Sequence, residues 1–107
     1  MPKNKIMGIV VSQESYSEKQ IEVSKLAKAI SHPARIAILE LLNEKDCSCN
    51  DIVQTLPLAQ STVSQHLNEL KKVGLINSIV LTPKTIFQLN KSMYLKSKSL
   101  INSFFSN

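Results

Sequence analysis

The hydrophobic positions of this chain fall into helical periods, then one β-like segment, then a helical period again. Val23, Leu26, Ala27 and Ile30 recur on one helix face with Lys25 and Lys28 turned away, and Ser17-Glu18-Lys19-Gln20 before them has the spacing of a capping box. A helix is predicted to start there. Ser31-His32-Pro33 ends it and opens another, because Pro in a first turn loses no hydrogen bond while opposing continuation of the helix before it. The second helix, Ala34 to Asn43, is apolar nearly all round, with only Arg35 and Glu40 polar before its end, and is predicted to be the buried centre. Lys45 to Ser48 reads as a turn. Cys49 or Asn50 then opens a short helix carrying Ile52, Val53 and Leu56, which Pro57 ends. From Gln60 to Val73, Val63, Leu67 and Leu70 form an apolar stripe among small polar residues, and Gly74 supplies the stop. Leu75 to Leu81 and Thr85 to Leu89, joined by Thr82-Pro83-Lys84, read as a two-stranded hairpin. Asn90 caps a last helix with Met93, Leu100 and Phe104 in a stripe and Tyr94, Ile101 and Phe105 beside it.

Four helices, a hairpin and a fifth helix make a mainly α fold with a small β-hairpin, the order of a winged helix-turn-helix. Residues 17–107 are assigned to that domain and residues 1–16, which show no helical period, to a flexible arm. At 107 residues, 43% hydrophobic and 20% charged, the chain has material for one core, which excludes a multidomain enzyme. No run approaches the roughly 20 apolar residues of a membrane span, and the apolar stretch Ile6 to Val11 is too short for a signal peptide. A cytoplasmic protein is expected. With two Gly there is no phosphate-binding loop, and no Ser/His/Asp grouping or metal-activated water site is apparent, so no enzymatic activity is expected.

Charge sharpens this picture. Residues 60–107 carry six Lys against one Glu, whereas residues 31–59 carry Arg35 and Lys45 against Glu40, Glu44, Asp46 and Asp51. The net charge of +5 thus resides in the part of the chain that follows the short third helix. On the outer face of Gln60 to Val73, the residues Gln60, Ser61, Thr62, Ser64, Gln65 and Asn68 offer hydroxyl and amide groups suited to base edges in a major groove. Lys71 and Lys72 near the helix end, Lys84 at the hairpin tip and Arg35 are suited to phosphates. The partner expected from this conjunction is double-stranded DNA. A rival class is a protein-interaction or membrane-surface module built on the last helix with Lys91, Lys96 and Lys98.

The stretch Ile30-Ser31-His32-Pro33-Ala34-Arg35-Ile36-Ala37-Ile38-Leu39-Glu40-Leu41-Leu42, together with Leu58 to Ile76, resembles the ArsR/SmtB family of bacterial winged-helix repressors. The resemblance spans Val23 to Asn90. It implies a homodimer paired through its first and last helices, with two recognition helices in successive major grooves of a near-palindromic operator and release by an inducer. By position it implies that Ser61, Ser64 and Gln65 read bases, with Gln60 and Thr62 flanking them. His66 is assigned to the inner side near Leu67 and Leu70, and His32 to capping or packing.

Cys47 and Cys49 remain open. In a reducing compartment a structural disulfide is disfavoured, whereas two thiols at i, i+2 beside a helix start can chelate a soft ion, with the helix N-terminus lowering their pKa. Sensors of the same family carry a Cys-x-Cys pair at about this place, which implies a metal or metalloid inducer such as As(III), Sb(III) or Cd(II). Without a third Cys, a three-thiolate site needs an external or cross-subunit ligand. A thiol switch by oxidation or persulfidation and passive packing are the alternatives. No cofactor is required, and the last helix has no His or carboxylate for zinc or nickel.

Overall fold

A computed structural model of the chain describes residues 15–106. The flexible arm assigned to residues 1–16 therefore lies, apart from Ser15 and Tyr16, outside the described residues. The elements are α1 (Glu18–Ala29), α2 (Pro33–Glu44), β1 (Cys47–Ser48), α3 (Cys49–Thr55), α4 (Gln60–Lys72), β2 (Ile76–Leu81), β3 (Lys84–Leu89) and α5 (Lys91–Phe105).

Local chemistry sets most of these boundaries. Ser17 accepts from the Gln20 N–H at 3.0 Å while Gln20 Oε1 accepts from the Ser17 N–H at 2.9 Å, closing the capping box of α1. His32 Nδ1 accepts from the Ala34 N–H and so caps α2, whose first residue is Pro33. Ser48 and Asp51 form a second capping box at α3, and Asn90 caps α5. At the end of α4, Gly74 sits at φ +79°, with its N–H donating to Lys71 O and the Leu75 N–H to Leu70 O. That pairing is the Schellman stop, and the positive φ is why glycine stands there.

Packing then holds elements that are too short to persist alone. A seven-residue helix such as α3 is marginal in water, yet Ile52 is fully buried against the core of Ile38, Val63, Leu67, Leu70 and Ile76. Each such side chain contributes about 1.5–3 kcal/mol by leaving water. As expected, α2 lies at the centre, burying Ile38, Leu39 and Leu42, although Ile36 on its outer side is exposed.

Three readings of the pattern are corrected. On α1 the buried pair is Leu26 and Ala29, and Ala27 is exposed. An alanine adds too little apolar area for the pattern to separate position 27 from position 29. Lys45 to Ser48 is not only a turn, because Cys47 and Ser48 pair antiparallel with Phe87 and Ile86. The sheet therefore has three strands in the order β1-β3-β2, and the connection between α2 and α3 is tied to the wing. The hairpin itself pairs from Ile76↔Leu89 to Leu81↔Lys84, so Lys84 begins β3 instead of lying in the turn. No helix among the described residues is long and apolar enough to cross a membrane.

Candidate nucleic-acid interface

The core fixes which face of α4 is presented. Val63, His66, Leu67 and Leu70 point inward, which turns Gln60, Ser61, Ser64, Gln65, Asn68, Lys71 and Lys72 to solvent, with Thr62 half-buried at the margin. The first two turns of this outer face are uncharged, and the two lysines follow in the last turn. Among the described helices α4 is also distinct at its start. Side chains cap α1, α2, α3 and α5, whereas Ala59 gives α4 no side-chain cap. Its first N–H groups are thus left for an outside acceptor, the arrangement that suits a phosphate oxygen. Lys72 Nζ lies 2.9 Å from Glu69 Oε2, and this exposed pair holds the Glu69 carboxyl below the usual carboxylate range. An exposed pair of this kind is worth little and exchanges readily. Lys84, at the start of β3, is exposed.

Arg35 is placed differently from the phosphate-holding role assigned to it. Its Nε donates to His66 Nδ1 at 3.0 Å, and its Nη1 donates to Lys28 O at 3.1 Å and Ala29 O at 3.2 Å. One guanidinium thereby satisfies carbonyls at the C-terminal end of α1 and fastens α2 to α4. His66, assigned to the inner side, is its acceptor there, with the His32 ring centroid 4.5 Å away. The Nδ1 must be unprotonated to accept, and burial, followed by the His32 and Arg35 charges, pushes the His66 pKa down from its usual value. The linkage sign follows. Stability from this neutral imidazole is present in full above the unfolded value near 6.5 and is lost as pH falls from there through the lower folded value. Urea midpoints are expected to drop between pH 7.5 and pH 5.5. They should drop less in His66→Asn, whose Oδ1 stands near the Nδ1 position and does not titrate. Equal slopes in both proteins would refute the assignment.

The cysteines occupy unlike sites. Cys47 is 3% exposed, its Sγ reaches Lys45 O at 3.4 Å, and burial followed by the Asp51 charge pushes its thiol pKa up. The lowering expected from a helix N-terminus does not apply to it, because Cys47 belongs to β1 and only Cys49 opens α3. Cys49 is half-buried, with its Sγ 3.8 Å from Ser64 Oγ on the outer part of α4. Among the described residues no group of three or more His, Cys, Asp or Glu could hold a metal ion. Sequence spacing carried no sign of the Cys49–Ser64 contact, which joins residues of different helices.

A short helix, a tight turn, a second helix with an uncharged polar face and a three-stranded wing define a winged helix-turn-helix protein of the transcription-regulator class. The family described as "Bacterial regulatory protein, arsR family" matches residues 32–78. A helix-turn-helix transcriptional regulator of Methanocaldococcus jannaschii is 40% identical over 63 residues, covering 57% of this chain and 70% of that one. The biofilm growth-associated repressor of Xylella fastidiosa is 25% identical over 96 residues, covering 90% of this chain and 82% of that one. Among solved structures, an ArsR-like transcriptional regulator from Rhodococcus superposes with a TM-score of 0.73 at 21% identity, covering 84% of this chain and 85% of that one. The chain belongs to the ArsR family of helix-turn-helix transcriptional regulators.

Proposed function

We propose that this protein is a sequence-specific DNA-binding transcriptional repressor acting in the cytoplasm as a homodimer. The observation that carries the reading is the outer face of α4, uncharged and hydrogen-bonding over its first two turns and basic at its end. Gln60, Ser61, Thr62, Ser64 and Gln65 read base edges, and Lys71, Lys72 and Lys84 hold phosphates. Arg35 leaves the phosphate set, since its Nε and Nη1 are engaged within the fold. Repression is supported by the name of the Xylella fastidiosa relative.

Anisotropy titrations on DNA upstream of the protein's own gene test this division of labour. Gln65→Ala is expected to lose about 1–3 kcal/mol of preference for that DNA over a scrambled duplex. Lys84→Ala should instead weaken both duplexes alike and reduce the salt slope by about one phosphate contact. Equal losses on both duplexes for Gln65→Ala would sink the assignment.

For the effector, the contact between Cys49 Sγ and Ser64 Oγ favours a thiol-responsive reading over a chelated metal. Any group added at Cys49 enlarges the side chain against α4 and displaces Ser64 from its place beside the bases. In this reading peroxide releases the DNA through Cys49, and the effect is lost in Cys49→Ser and kept in Cys47→Ser. Release by arsenite, antimonite or cadmium that needs both cysteines would instead return the metal reading.

A further inference from the structure

Between α1, α2 and α5 lies a cavity of about 300 Å³ whose lining is mainly apolar, with Leu26, Ile30, Leu39, Tyr94 and Ile101 among its walls. This size is at the low end of small-molecule sites. A second cavity of about 150 Å³ is lined by α1, α5 and the end of α4, and Leu26 and Ser97 line both. Ser97 is the unusual member of this wall. It is 7% exposed, and its hydroxyl oxygen is buried with no hydrogen-bond partner. A helical serine can return its hydroxyl to a carbonyl one turn back, and a buried hydroxyl left unpaired is unfavourable. Here it belongs to the lining of both cavities.

The charge around it has one sign in excess. Lys98 stands against Glu40 in the α1–α2–α5 cavity and directly follows Ser97 along α5, whereas Lys25 and Lys96 stand against Glu22 in the second cavity, whose Lys72 is paired with Glu69. We propose that this site binds a small monocarboxylate with an apolar body. The body fills the α1–α2–α5 cavity, and the carboxylate accepts from the Ser97 hydroxyl with the Lys98 ammonium as counter-charge. Neither group takes part in the DNA face or the thiol reading, so the site stands apart from both.

Octanoate and octylamine, equal in chain length and opposite in charge, are the probes. Each is titrated into isotope-labelled full-length protein while methyl resonances are followed, with sedimentation under the same conditions. Octanoate is expected to give saturable shifts at Ile30, Leu39 and Ile101, with octylamine at least tenfold weaker. Ser97→Ala, a change that favours helix and removes an unpaired group, is expected to fold and to bind octanoate at least fivefold more weakly. Absent or unsaturable shifts, equal binding of the two probes, or undiminished binding in Ser97→Ala would overturn the proposal. Shifts that track dissociation of a dimer would also overturn it, and would assign the cavity to a second copy of the chain. No DNA enters the measurement, so its failure is distinct from failure of the DNA-binding reading.

Discussion

Replacing Arg35 with lysine is expected to cost the fold about 2–3 kcal/mol, a large part of the 5–15 kcal/mol by which a domain is stable. The substitution keeps the charge and most of the aliphatic stem. It loses the planar fork that lets one side chain serve three acceptors, His66 Nδ1, Lys28 O and Ala29 O, on two other helices or helix ends. An ammonium reaches one of them well, leaving carbonyls at the end of α1 short of a donor and the imidazole of His66 without a partner. Urea denaturation of both proteins at pH 7.5 measures the loss. DNA affinity, read well below the melting temperature, is expected to change little in the Arg35→Lys protein, because the residue faces α1 and α4. Unchanged stability with weakened binding to every DNA sequence would reverse the assignment and return Arg35 to the phosphates.

Why this role escapes the sequence, when so much else is legible there, is a matter of distance along the chain. Ser17 with Gln20, Asn90, Pro33 and Gly74 mark helix ends through partners no more than five residues away, and all four stand where the pattern puts them. The inward stripe of Val63, Leu67 and Leu70 is equally local, and once it is known the outward set of Gln60, Ser61, Ser64, Gln65 and Asn68 follows from helix geometry alone. Arg35 and His66 are 31 residues apart and meet only after α2 has packed on α4. The strand of Cys47 and Ser48 is defined by Phe87 and Ile86, about forty residues later, and two residues carry no period of their own. The same gap hides the state of the cysteines. Their i, i+2 spacing presents them as one pair of like thiols, whereas the strand-to-helix junction between them sends one thiol into the core and sets the other beside Ser64.

Serine at both Phe104 and Phe105 is expected to turn a dimer into a monomer and to weaken operator binding at least about a hundredfold, the usual scale for losing a second tethered site. The two rings close α5 in an edge-to-face pair with centroids 5.0 Å apart, yet they are 52% and 76% exposed. Leu95 on the same helix and Tyr16 just before α1 are exposed as well. Within a single chain this surface gains nothing from the core of α2, α3 and α4, and leaving it in water forfeits about 25 cal/mol per Å². A second copy of the same surface recovers that energy, because in a two-fold pair each patch meets its own image. The proposed two-half-site operator calls for the same arrangement, since two α4 helices reach successive major grooves only if the chains are held about 34 Å apart along the duplex. The double variant leaves Ile38, Ile52, Val63 and Leu70 untouched, so its helical content is expected to match the parent by circular dichroism. Sedimentation at micromolar concentration gives the assembly state, and anisotropy on whole and half operators gives the consequence. If the variant remains dimeric, the pairing surface lies elsewhere; if it is monomeric and binds the whole operator as tightly as before, one α4 suffices and the two-half-site arrangement falls.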